Sequence, residues 1–181
     1  MKKKILTGLL AVMIIFQVGC SMNNTPTKRV EAYLNNYKTL NDDVLTQLDN
    51  VVEEDTLMTN DQKESYKEVL KKQYQNLTYT IKDEKVDGDV ATVTAEIEVY
   101  DYYKFNKEQD SYYEKNSKDF VDDNGNVSIT KYLDYKLDKM KTYTEKVKYT
   151  IDFTLRKVDK TWVLDDIDEQ TRQKIHGLYV Y

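Results

Sequence analysis

Between Val90 and Tyr100 the chain alternates almost without a break. Ala91, Val93, Ala95, Ile97 and Val99 fall on one parity, and Thr92, Thr94, Glu96 and Glu98 on the other. Successive side chains of a strand point to opposite faces, so this stretch specifies a strand with one buried and one wet face. Such a strand needs antiparallel neighbours. Leu77, Tyr79 and Ile81 alternate before it, and Asp87-Gly88 supplies a turn that tolerates positive φ, which predicts a hairpin. Val147, Tyr149, Ile151, Phe153 and Leu155 form a second alternating run, turned by Val158-Asp159-Lys160 into a third through Trp162 and Leu164. At least four antiparallel strands are expected.

Before the strands the period is helical. Thr25-Pro26 opens a helix whose Val30, Tyr33, Leu34, Tyr37 and Leu40 share one face. A weaker segment carrying Val44, Leu45 and Leu48, ending near Val52, is placed as a cap on the end of the core. Thr59-Asn60-Asp61-Gln62 fits a capping box, followed by Tyr66, Val69, Leu70 and Tyr74 on one face. From Lys104 to Ser128 the sequence is polar, with only Tyr112, Tyr113, Phe120 and Val121 to bury, and reads as an excursion outside the core. Ile129, Leu133, Leu137 and Met140 restore helical spacing to about Tyr143. Asp168, Glu169, Lys174, His176 and Gly177 have the charge and capping order of a short last helix, and an apolar tail, Leu178 to Tyr181, follows. The expected class is therefore α+β: N-terminal helices on a curved, cone-like antiparallel sheet, with a helical excursion between two hairpins.

The first nineteen residues follow another logic. Lys2, Lys3 and Lys4 precede an apolar run from Ile5 to Val18, and Gly19-Cys20 ends it. The run is about fourteen residues, short of the roughly twenty a spanning helix needs, so it reads as a secretory signal. Gln17-Val18-Gly19-Cys20 resembles the bacterial lipoprotein box, with Gln17 where a Leu is usual. The resemblance implies cleavage before Cys20 and a diacylglyceryl group on its thiol, and two acyl chains suffice for stable anchoring. The organisation expected is a lipoprotein signal peptide over 1–19, lipidated Cys20 and a polar tether over 20–25, and one α+β domain over 26–181. The protein would stand on the outer face of the cytoplasmic membrane, held by its lipid anchor.

Cleavage leaves 162 residues with 24 basic against 32 acidic side chains, a formal charge of −8. Bases and acids are interleaved, which argues against nucleic acid as a partner. With the only cysteine lipidated, no thiol is left for a disulfide, a thiolate zinc site or a cysteine nucleophile. Packing must carry stability, and 16 tyrosines supply much of the apolar area. Their rings are expected at the core edge with hydroxyls reaching water or a backbone partner, Tyr-lined ligand pockets being the alternative.

Helices first, then a hairpin, an excursion and a final hairpin ending in Trp162: this order is similar to the nuclear transport factor 2-like, or ketosteroid isomerase-like, cone fold. It also resembles small Gram-positive lipoproteins with that domain. The local likeness lies in Tyr74-Gln75-Asn76-Leu77-Thr78-Tyr79, in Val86-Asp87-Gly88-Asp89-Val90-Ala91-Thr92-Val93 and in Tyr100-Asp101-Tyr102-Tyr103. Function does not come with this fold, which hosts enzymes, transport factors and binding modules alike.

Enzymes of the fold place an acid, or a His-acid pair, between sheet and helices. Asp101 is the carboxylate candidate, because it continues the parity of Val93, Ala95, Ile97 and Val99 toward the pocket mouth, where Tyr79, Tyr103 and Tyr149 could lie near it. It reads either as a general base beside phenol donors, or as a carboxylate that reaches water or accepts tyrosine or backbone hydrogen bonds. Asp152 falls on the polar face and is a weaker candidate. His176, the only histidine, sits at a helix C-terminus that favours its protonated form and a capping role. Asp122-Asp123-Asn124-Gly125-Asn126 hints at a calcium loop, but Phe120 and Lys131 occupy the positions where ligands are required, so a surface turn is the better reading. No cofactor or metal is expected.

Three functional classes follow. The preferred one is a non-catalytic binding module, holding a small ligand in the cone or an envelope protein or peptide on the sheet. The second is a small lyase or isomerase with Asp101 as base. The third is a purely structural envelope protein.

Overall fold

A computed structural model describes residues 24–181. The stretch read from sequence as a signal segment, Cys20 and the expected tether as far as Asn23 lie outside the described residues. Thr25 accepts the Lys28 amide at 3.2 Å and, with Pro26 in the first turn, starts α1 (Pro26–Thr39). Asn41 caps α2 (Asp42–Glu53) in the same way, with Asp42 and Asp43 in its first turn. The box at Thr59 forms as the spacing predicts and starts α3 (Asn60–Gln75), Thr59 and Gln62 exchanging both bonds.

The four strands are β1 (Thr78–Asp87), β2 (Val90–Tyr100), β3 (Lys146–Val158) and β4 (Thr161–Leu164). They pair antiparallel in sequence order, as one curved and unclosed sheet. Gly88, at φ 60°, turns β1 into β2; Asp159 and Lys160, at 47° and 65°, turn β3 into β4. Two consecutive left-handed residues match the twist of a tight hairpin. The alternation read from the sequence is realised: Ala91, Val93, Ala95, Ile97 and Val99 are all buried, as are Tyr149, Ile151, Phe153 and Leu155 on the neighbouring strand. Register sets Ala95 opposite Ile151 and Val93 opposite Phe153. Burial of side chains this size stabilises the fold by about 1.5–3 kcal/mol each.

Val30, Leu34, Leu70 and Leu77 complete this core beneath α1 and α3, and α2 closes its end with Val44, Leu48 and Val52. The core also takes in Tyr33, Tyr37 and Tyr74. Tyr33 packs edge-on against Phe153 at 6.0 Å, Tyr37 against Tyr74 at 5.2 Å, and the Tyr74 hydroxyl shares a hydrogen bond of 3.0 Å with His176 Nδ1. The core between the helices and the curved sheet is thus built in part from the chain's own tyrosine rings.

The polar excursion between the hairpins is helical, as expected, but contains one helix more than its spacing announces. It holds a helix of its own, α4 (Tyr102–Asn116), a short 3-10 turn (Ser117–Asp119), and then α5 (Ile129–Thr142). Its apolar positions are too sparse to mark a helical stripe, but they gather: Tyr112, Tyr113 and Phe120 stack on Tyr132 and Tyr135 of α5, with Tyr113 and Tyr132 centroids 4.4 Å apart. A second cluster, Val69, Tyr100, Tyr102, Phe105 and Met140, ties α4 and α5 to α3. Gln62 adds a polar tie through Nε2, which donates to the Thr130 carbonyl at 3.0 Å and to Asp134 at 2.7 Å. The acidic run before α5 is a tight turn in which Asp122 Oδ1 accepts the Asn124 and Asn126 amides, each at 2.9 Å.

The last helix, α6 (Glu169–Ile175), is capped by Asp168 and puts Ile175 in the core. His176 follows it as the C-cap, but its charge state is the reverse of the expectation. Burial outweighs the nearby Glu169 carboxylate and pushes its pKa down to about 4, so the imidazole is neutral near pH 7.

Candidate functional site

The most unusual chemistry lies where β2 gives way to α4. β2 ends at Tyr100, and Asp101 leaves the strand at φ −84°, ψ 72° to become the N-cap of α4. Its strand parity therefore does not aim it; the cap does. Oδ1 accepts the Lys104 amide at 2.9 Å, and the Asp101 amide donates to the Glu145 carbonyl, also at 2.9 Å. Asp101 is 5% exposed, one of the few charged groups the fold buries.

The C-terminal tail closes over it. Gly177 is in left-handed conformation at φ 69°, and a Cβ there would collide with the Tyr100 carbonyl oxygen and stand 2.8 Å from Gln73 Nε2. Only glycine permits this approach. The Gly177 carbonyl then accepts the Tyr103 amide at 2.7 Å, which anchors the tail along the first turn of α4. At its end the exposed Tyr181 ring turns its hydroxyl inward and donates to Asp101 Oδ2 at 2.6 Å. That bond is the largest cause of the upward shift in the Tyr181 pKa.

Aromatic rings surround this contact. Tyr103 meets Tyr181 edge-on at 5.3 Å, and Tyr149 meets Tyr179 at 5.8 Å. Lys107 Nζ lies 5.4 Å above Tyr103, and Lys174 Nζ lies 5.1 Å above Tyr179. At the rim Lys104 Nζ pairs with Glu145 at 2.6 Å and approaches Glu108 at 3.9 Å. The hydroxyls of Tyr143 and Tyr149 are buried without a hydrogen-bond partner. Desolvation raises both phenols most; the Asp101 charge adds to the shift, after Glu145 at Tyr143 and next after burial at Tyr149. Buried polar atoms are nearly always paired, so these two orphaned hydroxyls, both under the influence of the Asp101 charge, are exceptions to the rule.

Of the four residues singled out from sequence, the fold brings together Asp101, Tyr103 and Tyr149. Tyr79 is held elsewhere: it lies in the same row as Tyr149 across Ile97, but its hydroxyl donates to Asn35 of α1 at 3.1 Å and Lys38 covers its ring. Asp152 points to the outer face, where Thr94 donates to it at 2.6 Å. Sequence reading did not place Tyr143, Tyr179 and Tyr181 in the niche. The signal that could have found them is the Gly177 turn before an aromatic tail, which sends the chain back over whatever precedes it in space. Among the described residues no cluster of His, Cys, Asp or Glu is arranged to hold a metal, and no helix is long and apolar enough to cross a membrane.

No family model matches the sequence, and no curated protein matches it. Among solved structures the chain is similar to ycdA, a candidate lipoprotein from Bacillus subtilis subsp. subtilis strain 168. The two superpose with a TM-score of 0.52 at 16% identity, over 85% of this chain and 56% of that one. The chain thus spans little more than half the length of that protein, and the likeness is one of fold.

Proposed function

We propose that the protein is an exported lipoprotein, anchored through Cys20 to the outer face of the cytoplasmic membrane, whose domain is a non-catalytic binding module for a small ligand. The anchor rests on the basic start, the short apolar run and Gly19-Cys20, and the likeness to ycdA supports it. The cone-fold family remains part of this reading, supported by helices packed on the inner face of a curved sheet.

One observation carries the binding role: Asp101, buried under the Tyr181 tail, with two orphaned phenols under the influence of its charge. The ligand site is this niche rather than the core between helices and sheet, which Tyr33, Tyr37 and Tyr74 help to build. A non-catalytic role is favoured over a lyase or isomerase because both Asp101 oxygens already serve structure, one capping α4 and one holding the tail. A protein partner on the sheet is less favoured, since the outer face pairs with itself: Thr94 with Asp152, and Lys82 and Lys148 with Glu96.

Two measurements test this. Cys20→Ala should move the protein from the detergent phase to the aqueous phase in phase partitioning of whole-cell extracts; retention in the detergent phase refutes the anchor. Native mass spectrometry of the protein released from membranes should detect a small molecule that is lost in Asp101→Ala. A bound species indifferent to that substitution refutes the niche.

A further inference from the structure

We propose that the end of the sheet made by its two hairpin tips rests on the phospholipid surface, so that the domain stands tip-down on the membrane with the β2–α4 junction held away from it. This rests on the Cys20 anchor of the preceding reading, and adds the part of the domain that the membrane meets.

Topology gathers the start of the domain and both tips at one end. Register sets Val90 opposite Asp87 and Arg156, and Val158 opposite Thr161, so the Gly88-Asp89 and Asp159-Lys160 turns lie side by side. The Lys157 amide donates to the Asp89 carbonyl at 2.8 Å and ties one tip to the other. Asn24 is fastened to the second tip by both atoms of its side-chain amide: Nδ2 donates to the Lys160 carbonyl at 2.7 Å, and Oδ1 accepts the Trp162 amide at 2.8 Å. The Thr27 amide then donates to Glu84 of β1 at 2.9 Å, which holds the first turn of α1 at the same end.

Length decides what lies there. Cys20 precedes Asn24 by four residues, and a chain advances at most about 3.6 Å per residue, so the anchored Cα lies within about 14 Å of Asn24. β2 runs the other way for eleven residues, and at about 3.3 Å each they carry Asp101 up to about 36 Å from Val90. The tether therefore keeps the tips near the headgroups in any orientation, and only the tilt is left to decide.

The rim decides the tilt. Val86, Val90 and Val158 are each about half exposed. Val90 and Val158 share the outer parity with Arg156, whereas Val86 lies in the row of Ala91 on the inner face. Apolar groups thus flank the tips on both faces, which suits an end-on contact. The outer face of the sheet offers nothing comparable, since Asp152 accepts from Thr94 and Glu96 pairs with Lys82 and Lys148. Around the rim Lys85, Arg156 and Lys160 alternate with Asp87, Asp89 and Asp159, so charge supplies no net attraction. A short tether supplies a high effective concentration instead, at which a weak apolar contact suffices.

Once acylated, Cys20 leaves the chain no thiol, so a single introduced cysteine can be labelled alone. The full acylated chain, carrying a nitrobenzoxadiazole label at Asp89→Cys, Thr150→Cys or Thr144→Cys, is reconstituted into vesicles of phosphatidylethanolamine and phosphatidylglycerol with nitroxide on the headgroups. Thr150 is exposed on the outer face of β3, and Thr144 is exposed just before β3, at the end opposite the tips. Quenching should be several-fold stronger at Asp89 than at either of the others. Val86→Ser, Val90→Ser and Val158→Ser together should at least halve it. Equal quenching at Asp89 and Thr150 means a sheet lying flat, and stronger quenching at Thr144 means that the other end meets the lipid. Quenching at Asp89 that ignores the three serines means that the tether alone keeps the tips close. Energy transfer between tip labels of two copies, without quenching by lipid, reassigns the rim to self-association. Each of these four outcomes overturns the proposal and leaves the anchor standing. A chain whose intact mass shows no acyl groups on Cys20 refutes the anchor, and the orientation with it.

Discussion

Gln73 clamps Tyr100 from both sides of its backbone: Oε1 accepts the Tyr100 amide at 3.0 Å, and Nε2 donates to the Tyr100 carbonyl at 3.3 Å. Gln73 is fully buried in α3, so its side chain substitutes for the strand partner that β2 lacks as it runs out. The clamp fixes the point where Asp101 begins and where Gly177 makes its close approach.

Gln73→Met keeps the volume and removes both bonds. It leaves a buried amide and a buried carbonyl unpaired, so a loss of about 2–4 kcal/mol is expected in urea unfolding. A loss under about 1 kcal/mol would mean that water or a shifted backbone satisfies Tyr100.

Acid should unfold the protein in part through His176. The unfolded chain takes up a proton there near pH 6.5, whereas the folded chain refuses it until about pH 4. A depressed pKa means that the stability present above pH 6.5 is lost as pH falls from 6.5 to 4, by up to about 3 kcal/mol at 1.36 kcal/mol per unit. His176→Gln retains a partner for Tyr74 and should flatten the stability profile over that window. Parallel profiles for the two proteins would exclude His176 as the cause.

Gly177→Ala puts a Cβ into the Tyr100 carbonyl and forces a side-chain residue to hold φ 69°. The expected cost is about 2–4 kcal/mol, with the tail released from α4. Hydrogen exchange at the Tyr103 amide, which the Gly177 carbonyl now holds, reports the release directly. Protection unchanged from the native chain would count against the close approach.

Base should act through the tyrosines. Burial raises Tyr33, Tyr37 and Tyr74 above the usual phenol range, and Tyr66 to about 12. A raised pKa contributes stability that is whole below about pH 10 and is lost as pH climbs through the folded values. Phenolate absorbance from this buried set should rise only as the protein unfolds, well above pH 10. A single wave at pH 10 for all 16 tyrosines would contradict their burial.

The strands were legible because burial on one face writes itself as alternation, as in Ala91 to Val99, and a one-residue slip would expose the whole set. Thr25, Asn41 and Thr59 likewise cap the helices that their local chemistry announces. α4 was not legible, because its aromatic residues meet α5 rather than a continuous core and so leave no stripe of fixed period. His176 went astray for a related reason: a helix terminus is visible in sequence, while the desolvation that keeps the imidazole neutral depends on Tyr37 and Tyr74 arriving from other helices.

Local order along the chain thus determined the α+β class, the two hairpins, their turns and most helix starts, because those depend on neighbours within a few residues. The niche was decided in three dimensions. Asp101 and Tyr181 are 80 residues apart, and nothing in the periodicity of either segment requires them to meet. They meet because the Gln73 clamp ends β2, and Gly177 alone tolerates the backbone contact that turns the tail back across it. Long-range contact of this kind follows from packing, and packing is settled only when all the elements compete for the same space.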